Sequence, residues 1–285
     1  MVNFDQWRDV PNTQPPAAWI GGKRTLAPRL VDLIASEPHQ LYAEPFVGMG
    51  GVFFRRRRVP PAEVINDRSG DVINLFRILQ RHYPQFMDTL KFQITSRREF
   101  DRLKACDPST LTDLERAARF IYLQKLAFGG KVAGQNFGVQ HKGSARFNLT
   151  KLAPLLEDVH ERLSGVVLES LDWLAFIDRY DRAGALFYLD PPYWGGEADY
   201  GKALFSRDQY ELMAERLKRL QGRFILSIND VPEIRDIFAG HRVIPVDLSY
   251  SVSGGKGTPA RELIISSDPM LGVKLLPIDL ARCAK

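Results

Sequence analysis

Apolar and polar positions alternate along this chain in two rhythms, short continuous runs and longer helical repeats. LYAEPF (41–46) reads as a buried strand, VGMGG (47–51) as a glycine turn, VFFRRRR (52–58) as a helix and AEVINDR (62–68) as a second strand. Residues 72–104 carry helical apolar spacing interrupted by Pro84, and residues 113–128 predict an amphipathic helix with Asp113 as its N-cap. The glycine-rich, polar and basic stretch that follows, to Asn148, predicts a loop or short hairpin. From residue 166 strands resume: VVLES (166–170), LFYL within 185–189, RFILSIND (223–230), HRVIPVDL (241–248) and RELIISS (261–267), with helices over 207–221 and 232–239.

Alternating strands and helices predict an α/β fold, a mostly parallel sheet with helices on both faces. The helical stretch in the middle breaks the alternation as an insertion would. The expected organisation is one α/β domain from 1–72 and 152–285 with an inserted subdomain over 73–151.

Charge sharpens that division. Residues 73–151 hold 14 Lys/Arg against 6 Asp/Glu, net +8, whereas the rest of the chain holds 25 against 28. By itself the excess reads as a solvated helical surface; the alternative is a face for a polyanion. At 45% hydrophobic and 26% charged the composition is that of an ordinary globular protein. MVNFDQWRDVPNTQPP has no apolar core and predicts no signal peptide, and no run is apolar enough to span a bilayer. Isolated Cys106 and Cys283 predict a reducing, cytoplasmic location, and the spacing of the five histidines predicts no metal site.

Two stretches carry candidate chemistry. Gly48 and Gly50 would let a ligand approach the backbone after the first strand, and Asp67, 19 residues beyond Gly48, stands where an α/β fold binds a ribose. Phe53 occupies the place of the third glycine of a dinucleotide fingerprint. Gly21-Gly22-Lys23 and Gly254-Gly255-Lys256-Gly257-Thr258 lack the leading glycine of a phosphate loop, Ala17 and Tyr250 standing there, which disfavours ATP hydrolysis. The second stretch is LFYLDPPYWGG, 186–196. Prolines force an extended exit from the strand, so Asp190 should sit at its carboxyl end with Tyr193 and Trp194 on a rigid turn.

In combination, Trp19-Ile20-Gly21-Gly22-Lys23, Glu44-Pro45-Phe46 with Gly48 and Gly50, Ile65-Asn66-Asp67 before Val72-Ile73-Asn74-Leu75, Glu169-Ser170, Asp190-Pro191-Pro192-Tyr193, Ser227-Ile228-Asn229-Asp230 and Arg261-Glu262-Leu263-Ile264-Ile265 make the chain resemble the Dam-type adenine-specific DNA methyltransferases of the D12 class, group alpha, over nearly its whole length. The resemblance implies a Rossmann-like, S-adenosylmethionine-dependent methyltransferase fold with a DNA-recognition insert, and transfer of a methyl group to N6 of a flipped-out adenine in double-stranded DNA. It implies catalytic roles for Asp190, Pro191, Pro192 and Tyr193. It places Glu44, Phe46, Gly48 and Gly50 around the cofactor's methionine part and Asp67 on its ribose. Trp19 and Lys23 would close the methionine end, the ammonium pairing with the cofactor's carboxylate, and Asp172 would lie near its adenine. The resemblance also admits a cognate restriction endonuclease as a partner.

For DNA contacts the expected residues are Arg97, Arg98, Lys104, Gln124, Lys125, Lys131, Gln135 and Asn136. In the Dam type a helix and short hairpin carry an asparagine and a downstream arginine that help read GATC; Gly129 and Ala133 stand at those places here. Neither can make a bidentate contact to a base edge, so a target other than GATC is expected. Methylation of RNA or of a protein amide, and DNA binding without catalysis, are the alternative readings.

Overall fold

Residues 185, 187 and 189 of strand β6 (Ala185–Leu189) face one hydrophobic layer, and Leu186 and Tyr188 face another. A strand buried on both sides belongs at the centre of a three-layer sandwich. The computed structural model describes residues 6–139, 145–197, 205–250 and 258–267. Its main sheet has seven strands in the order β5 (Val167–Glu169), β4 (Ala62–Asn66), β2 (Leu41–Glu44), β6, β7 (Arg223–Asn229), β9 (Thr258–Ser266), β8 (Arg242–Tyr250). From β5 to β7 every pairing is parallel; β9 lies antiparallel to both β7 and β8. A two-residue ribbon, β1 (Arg8–Asp9) with β3 (Arg58–Val59), stands apart.

The chain enters the sheet at β2, winds outward through β4 to β5, then returns to β6 on the other side of β2. The order therefore reverses between β2 and β6, the position at which open α/β sheets bind ligands beyond their strand ends. On one face α7 (Trp173–Tyr180), α8 (Asp208–Lys218) and α9 (Pro232–Ile237) pack on Ala43, Phe187 and Leu226. On the other, α1 (Ala27–Ser36) shares one core with α2 (Gly70–Arg81), α3 (Tyr83–Leu90), α4 (Arg97–Ala105), α5 (Asp113–Leu126) and α6 (Leu149–Leu163). Residue 73 falls in the first turn of α2, and α2 packs against α5, α6 and β5. The basic helices are thus continuous with the sheet's own core. A buried ion cluster adds to that union: Glu63 of β4 accepts two hydrogen bonds from Arg162 of α6, at 2.8 Å each, and one from Arg56 at 2.7 Å. Arg56 stacks on Tyr42 and Arg162 on Phe53.

Three local expectations change. The helix over VFFRRRR is a single 3-10 turn, Phe53–Arg55, because Arg58–Val59 goes extended to pair with β1 and Pro60-Pro61 follow. The N-cap of α5 is Thr112, not Asp113: its hydroxyl accepts from Glu115 N while Glu115 reaches back to Thr112 N, a reciprocal capping box. Helices α1, α6 and α7 lie where the sequence reading placed none. The basic loop after α5 does turn back on itself, through an antiparallel bridge between Ala127 and Phe137. Residues 140–144 of that stretch and Gly254–Gly257 of the second glycine–lysine run lie outside the described residues.

Candidate active site

Two neighbouring parallel strands deliver two carboxylates to one place. Strand β2 ends in Glu44 and β6 is followed at once by Asp190; both line a cavity of about 440 Å³ that also meets Trp19, Lys23, Phe46, Gly48, Asp67, Lys125 and Tyr188. Asp67 directly follows β4, so consecutive strands of the sheet supply each wall. Two asparagines hold the corners. Asn66 donates to the carbonyls of Pro45 and Leu171 and accepts from Leu171 N, tying three loops together. Asn229, at the end of β7, accepts from Trp194 N and donates to Trp194 O, closing both backbone groups of the turn after the prolines.

The glycine turn needs its glycines for steric reasons. A Cβ on Gly48, whose φ is +49°, would lie 2.7 Å from the Trp19 indole nitrogen, and one on Gly50, at φ +74°, would lie 2.4 Å from the Phe54 ring. Gly48 shapes the cavity wall; Gly50 does not line the cavity and serves the turn itself. Gly48 N donates to one oxygen of Asp67 and Ser69 N to the other, both at 2.8 Å. Each oxygen keeps acceptor capacity for a ligand hydroxyl. Burial pushes the Asp67 carboxyl up to about 6 against those two hydrogen bonds. It pushes Glu44 further, to about 8, although the Tyr42 hydroxyl donates to it at 2.6 Å.

Around Asp190 the polar groups are denser. The Lys23 ammonium, 1% exposed, lies 2.8 Å from Asp190 Oδ1, donates to the Tyr193 hydroxyl at 2.6 Å and is 3.3 Å from Glu262 Oε2. Tyr193 in turn donates to Glu262 Oε1 at 2.6 Å. Ser227 on β7 bonds the Tyr188 hydroxyl at 2.8 Å and donates weakly to Asp190 at 3.4 Å. Burial raises the Asp190 carboxyl to about 6, with Lys23 opposing the shift. Pro191 and Pro192 are buried, and the Tyr210 hydroxyl donates to the Pro192 carbonyl. Among the described residues no donor reaches the carbonyl of Pro191. Trp194 packs on Tyr210, with Arg207 over its ring.

Several expected residues therefore come together, and others do not. Asp190, Pro192, Glu44, Phe46, Gly48, Asp67, Trp19 and Lys23 line one cavity. Lys23, however, is directed at Asp190, Tyr193 and Glu262, so its ammonium is already held by the site's own acids and is not the free cation expected for a cofactor carboxylate. Lys125 lines the cavity, meets no counter-ion among the described residues, and is held below the usual lysine range by burial. Asp172 is exposed, caps α7 by accepting from Leu174 N, and does not line the cavity. Of the expected DNA contacts, Arg97, Arg98, Lys131 and Asn136 are exposed. Gln124 and Gln135 are buried: Gln124 donates to the carbonyls of Ala18 and Gly130 and accepts from Gln135 Nε2. Both amide hydrogens of Gln124 are engaged inside the protein, and Gln135 is turned inward to meet it. Lys104 reaches back to the Gln135 carbonyl.

The sequence reading assigned no roles to Asn66, Asn229, Tyr188, Ser227 or Glu262. Period-two alternation would have found Tyr188, two positions before Asp190 on the same face. A polar residue closing an apolar strand was the signal for Asn66 and Asn229.

A mostly parallel sheet with helices on both faces and a strand-end acid site at its switch point is the Rossmann-like fold of the S-adenosylmethionine-dependent methyltransferases. The chain belongs to the D12 class N6 adenine-specific DNA methyltransferase family, whose model matches residues 19–252. It is similar to the type II methyltransferase M.CviBI of Paramecium bursaria Chlorella virus NC1A, 23% identical over 232 residues, covering 80% of this chain and 87% of that one. It is 29% identical over 197 residues to the type II methyltransferase M1.LlaDCHI of Lactococcus lactis subsp. cremoris, covering 64% and 66%. Similarity to the DNA N-6-adenine-methyltransferase of Escherichia phage P1 is 25% over 259 residues, covering 82% of this chain and 32% of that one. No helix among the described residues is long and apolar enough to cross a membrane.

Proposed function

We propose that this adenine-specific methyltransferase uses S-adenosylmethionine, acts on an adenine turned out of duplex DNA, and does so through Asp190 and the Pro191 carbonyl at a target other than GATC. The observation that carries the reading is that Asp190 and Asp67, following β6 and β4, line one cavity at the switch point of the sheet. The residues present suit the cofactor. Asp67 has acceptor capacity for ribose hydroxyls, Glu44 offers a buried carboxylate to cationic groups, and the Lys125 ammonium, with no counter-ion among the described residues, suits a carboxylate. Trp19 and Phe46 supply apolar wall.

When bound, S-adenosylmethionine supplies an electrophilic methyl group. The chain's own task is the amine. An exocyclic adenine nitrogen is a poor nucleophile because its lone pair is delocalised into the ring. Asp190 and the Pro191 carbonyl accept its two hydrogens, which localises the lone pair and orients it. As N6 gains the methyl group it sheds one proton, and Asp190, with a carboxyl held near 6, is matched to accept it at neutral pH. Lys23 fixes the Asp190 carboxylate in place. Tyr193 offers a ring for the extruded base to stack on, with its hydroxyl anchored on both sides. Exposed Arg97 and Arg98 hold the phosphate backbone, and Lys131 and Asn136 remain as base readers. A restriction endonuclease of the same target is the further partner this reading admits. Incubating the protein with methyl-labelled S-adenosylmethionine and DNA from a methyltransferase-deficient strain, then mapping modified adenines by single-molecule sequencing, tests activity and target together. Absence of label in adenine, or label confined to GATC, refutes the corresponding part.

A further inference from the structure

Glu262 is 1% exposed, yet it sits in the middle of β9, which runs antiparallel to both of its neighbours. It is paired in register with Asn229 of β7 and Val246 of β8, which puts it beside the strand ends that carry the site. A buried carboxylate is costly unless it is held by charge and hydrogen bonds. Here both are provided by the proposed catalytic groups: Oε1 accepts from the Tyr193 hydroxyl at 2.6 Å and Oε2 lies 3.3 Å from the Lys23 ammonium. That same ammonium is 2.8 Å from Asp190. One cation is thus shared between two acids, and one tyrosine hydroxyl is fixed between the cation and the second acid.

The arrangement has a consequence for the reaction. Lys23 is in direct contact with Asp190 at 2.8 Å and in looser contact with Glu262 at 3.3 Å; facing Asp190 alone, its full charge would act on one carboxylate and make it a weaker acceptor for an amine hydrogen. With a second acid drawing on the ammonium, Asp190 stays oriented without being neutralised. The Tyr193 ring, tied through its hydroxyl, cannot swing away from the turn that Asn229 clamps. We propose that Glu262 is a positioning residue for methyl transfer, sharing the Lys23 ammonium with Asp190 and holding the Tyr193 ring in its stacking place. This rests on the reading of Asp190 as the group that acts on the base.

Among the described residues, the charged groups facing Asp190 are Lys23 ahead of α1, Glu262 on β9 and Glu44 on β2, with the hydroxyls of Tyr188 and Ser227 alongside. Removing the Glu262 charge removes one of the influences that raise the Asp190 carboxyl. Glu262→Gln keeps shape and an acceptor for Tyr193 but not the charge. With unmethylated genomic DNA and labelled S-adenosylmethionine, it should lower single-turnover transfer about 10- to 100-fold. Binding of S-adenosylhomocysteine should stay within about twofold, since the cofactor walls are untouched. The acid limb of its pH–rate profile should move to lower pH, a change that a merely structural role would not produce. Tyr193→Phe should cost turnover as well, and the two losses should not simply add in the double variant, because Lys23, Tyr193 and Glu262 form one network. A Glu262→Gln protein with parent rate and an unmoved acid limb overturns the proposal. If that variant fails to fold, judged by its thermal transition, Tyr193→Phe decides, and parent turnover there overturns it equally. Asp190→Asn is the control. A fully active Asp190→Asn protein sinks the proposed function, whereas an inactive one beside a normal Glu262→Gln sinks this inference alone.

Discussion

Lys23, from the segment ahead of α1, places its ammonium 2.8 Å from Asp190 at the end of β6. The two residues come from distant parts of the chain and line the same cavity at the switch point. Asp190→Ala should therefore abolish methyl transfer, by at least about 100-fold. Lys23 keeps Glu262 and Tyr193 as partners in that variant, so the fold and cofactor binding should survive. Single-turnover transfer and calorimetric binding of S-adenosylhomocysteine, measured on the same preparation, check the separation.

Asp67→Ala removes a carboxylate that orders the glycine turn through Gly48 N and the α2 entry through Ser69 N. Loss of charge-assisted hydrogen bonds of this kind costs about 1.5–3 kcal/mol, so cofactor affinity should fall roughly 10- to 100-fold. DNA affinity without cofactor should change little. Calorimetry with the cofactor alone is the measurement.

Glu44, Asp67 and Asp190 all have carboxyls raised by burial, to about 8, 6 and 6. In the unfolded chain such groups ionise near pH 4. As pH rises from about 4 to 8 the unfolded state gives up these protons while the folded state keeps them, so the three groups lower stability across that window and no further above it. Cationic cofactor groups beside Glu44 should favour its ionised form, so binding at pH 7 should release protons. Calorimetry in two buffers of different ionisation enthalpy reads that release, and proton uptake would contradict it.

Among the described residues, Glu63 is the one acid that pairs with the two buried arginines Arg56 and Arg162. Glu63→Ala leaves both cations uncompensated and should destabilise the fold by about 3–5 kcal/mol, read as a lower denaturant midpoint. Because Arg162 lies on α6 and Glu63 on β4, the helices and the sheet should lose stability together in one transition.

The DNA contacts separate into two kinds. Charge reversal at Arg97 or Arg98 should weaken binding on all sequences alike and flatten its salt dependence. Lys131→Ala or Asn136→Ala should instead change which adenines are methylated, seen in sequencing of modified DNA. Gln124→Ala should act on stability, since its amide bridges Ala18 and Gly130 inside the protein.

Asp190 at a strand end was legible in LFYLDPPYWGG, because an apolar run stopped by two prolines allows little else, and Asp67 was legible from its distance to Gly48. These are local constraints, written in a few neighbouring residues. The α/β alternation was legible for the same reason, and family membership followed from motifs in order. What tertiary structure alone decided is where long side chains end. Lys23 was expected at the cofactor and lies between two acids, since only the packing of β9 against β7 brings Glu262 into its reach. Gln124 and Gln135 were expected at the surface; they meet inside because the basic loop folds back onto residues 18–20. The helix after the glycine turn gave way to a strand because β1 lay ready to pair with it. A flexible side chain or an ambiguous segment takes the partner that long-range contact offers, and that partner is absent from the local sequence.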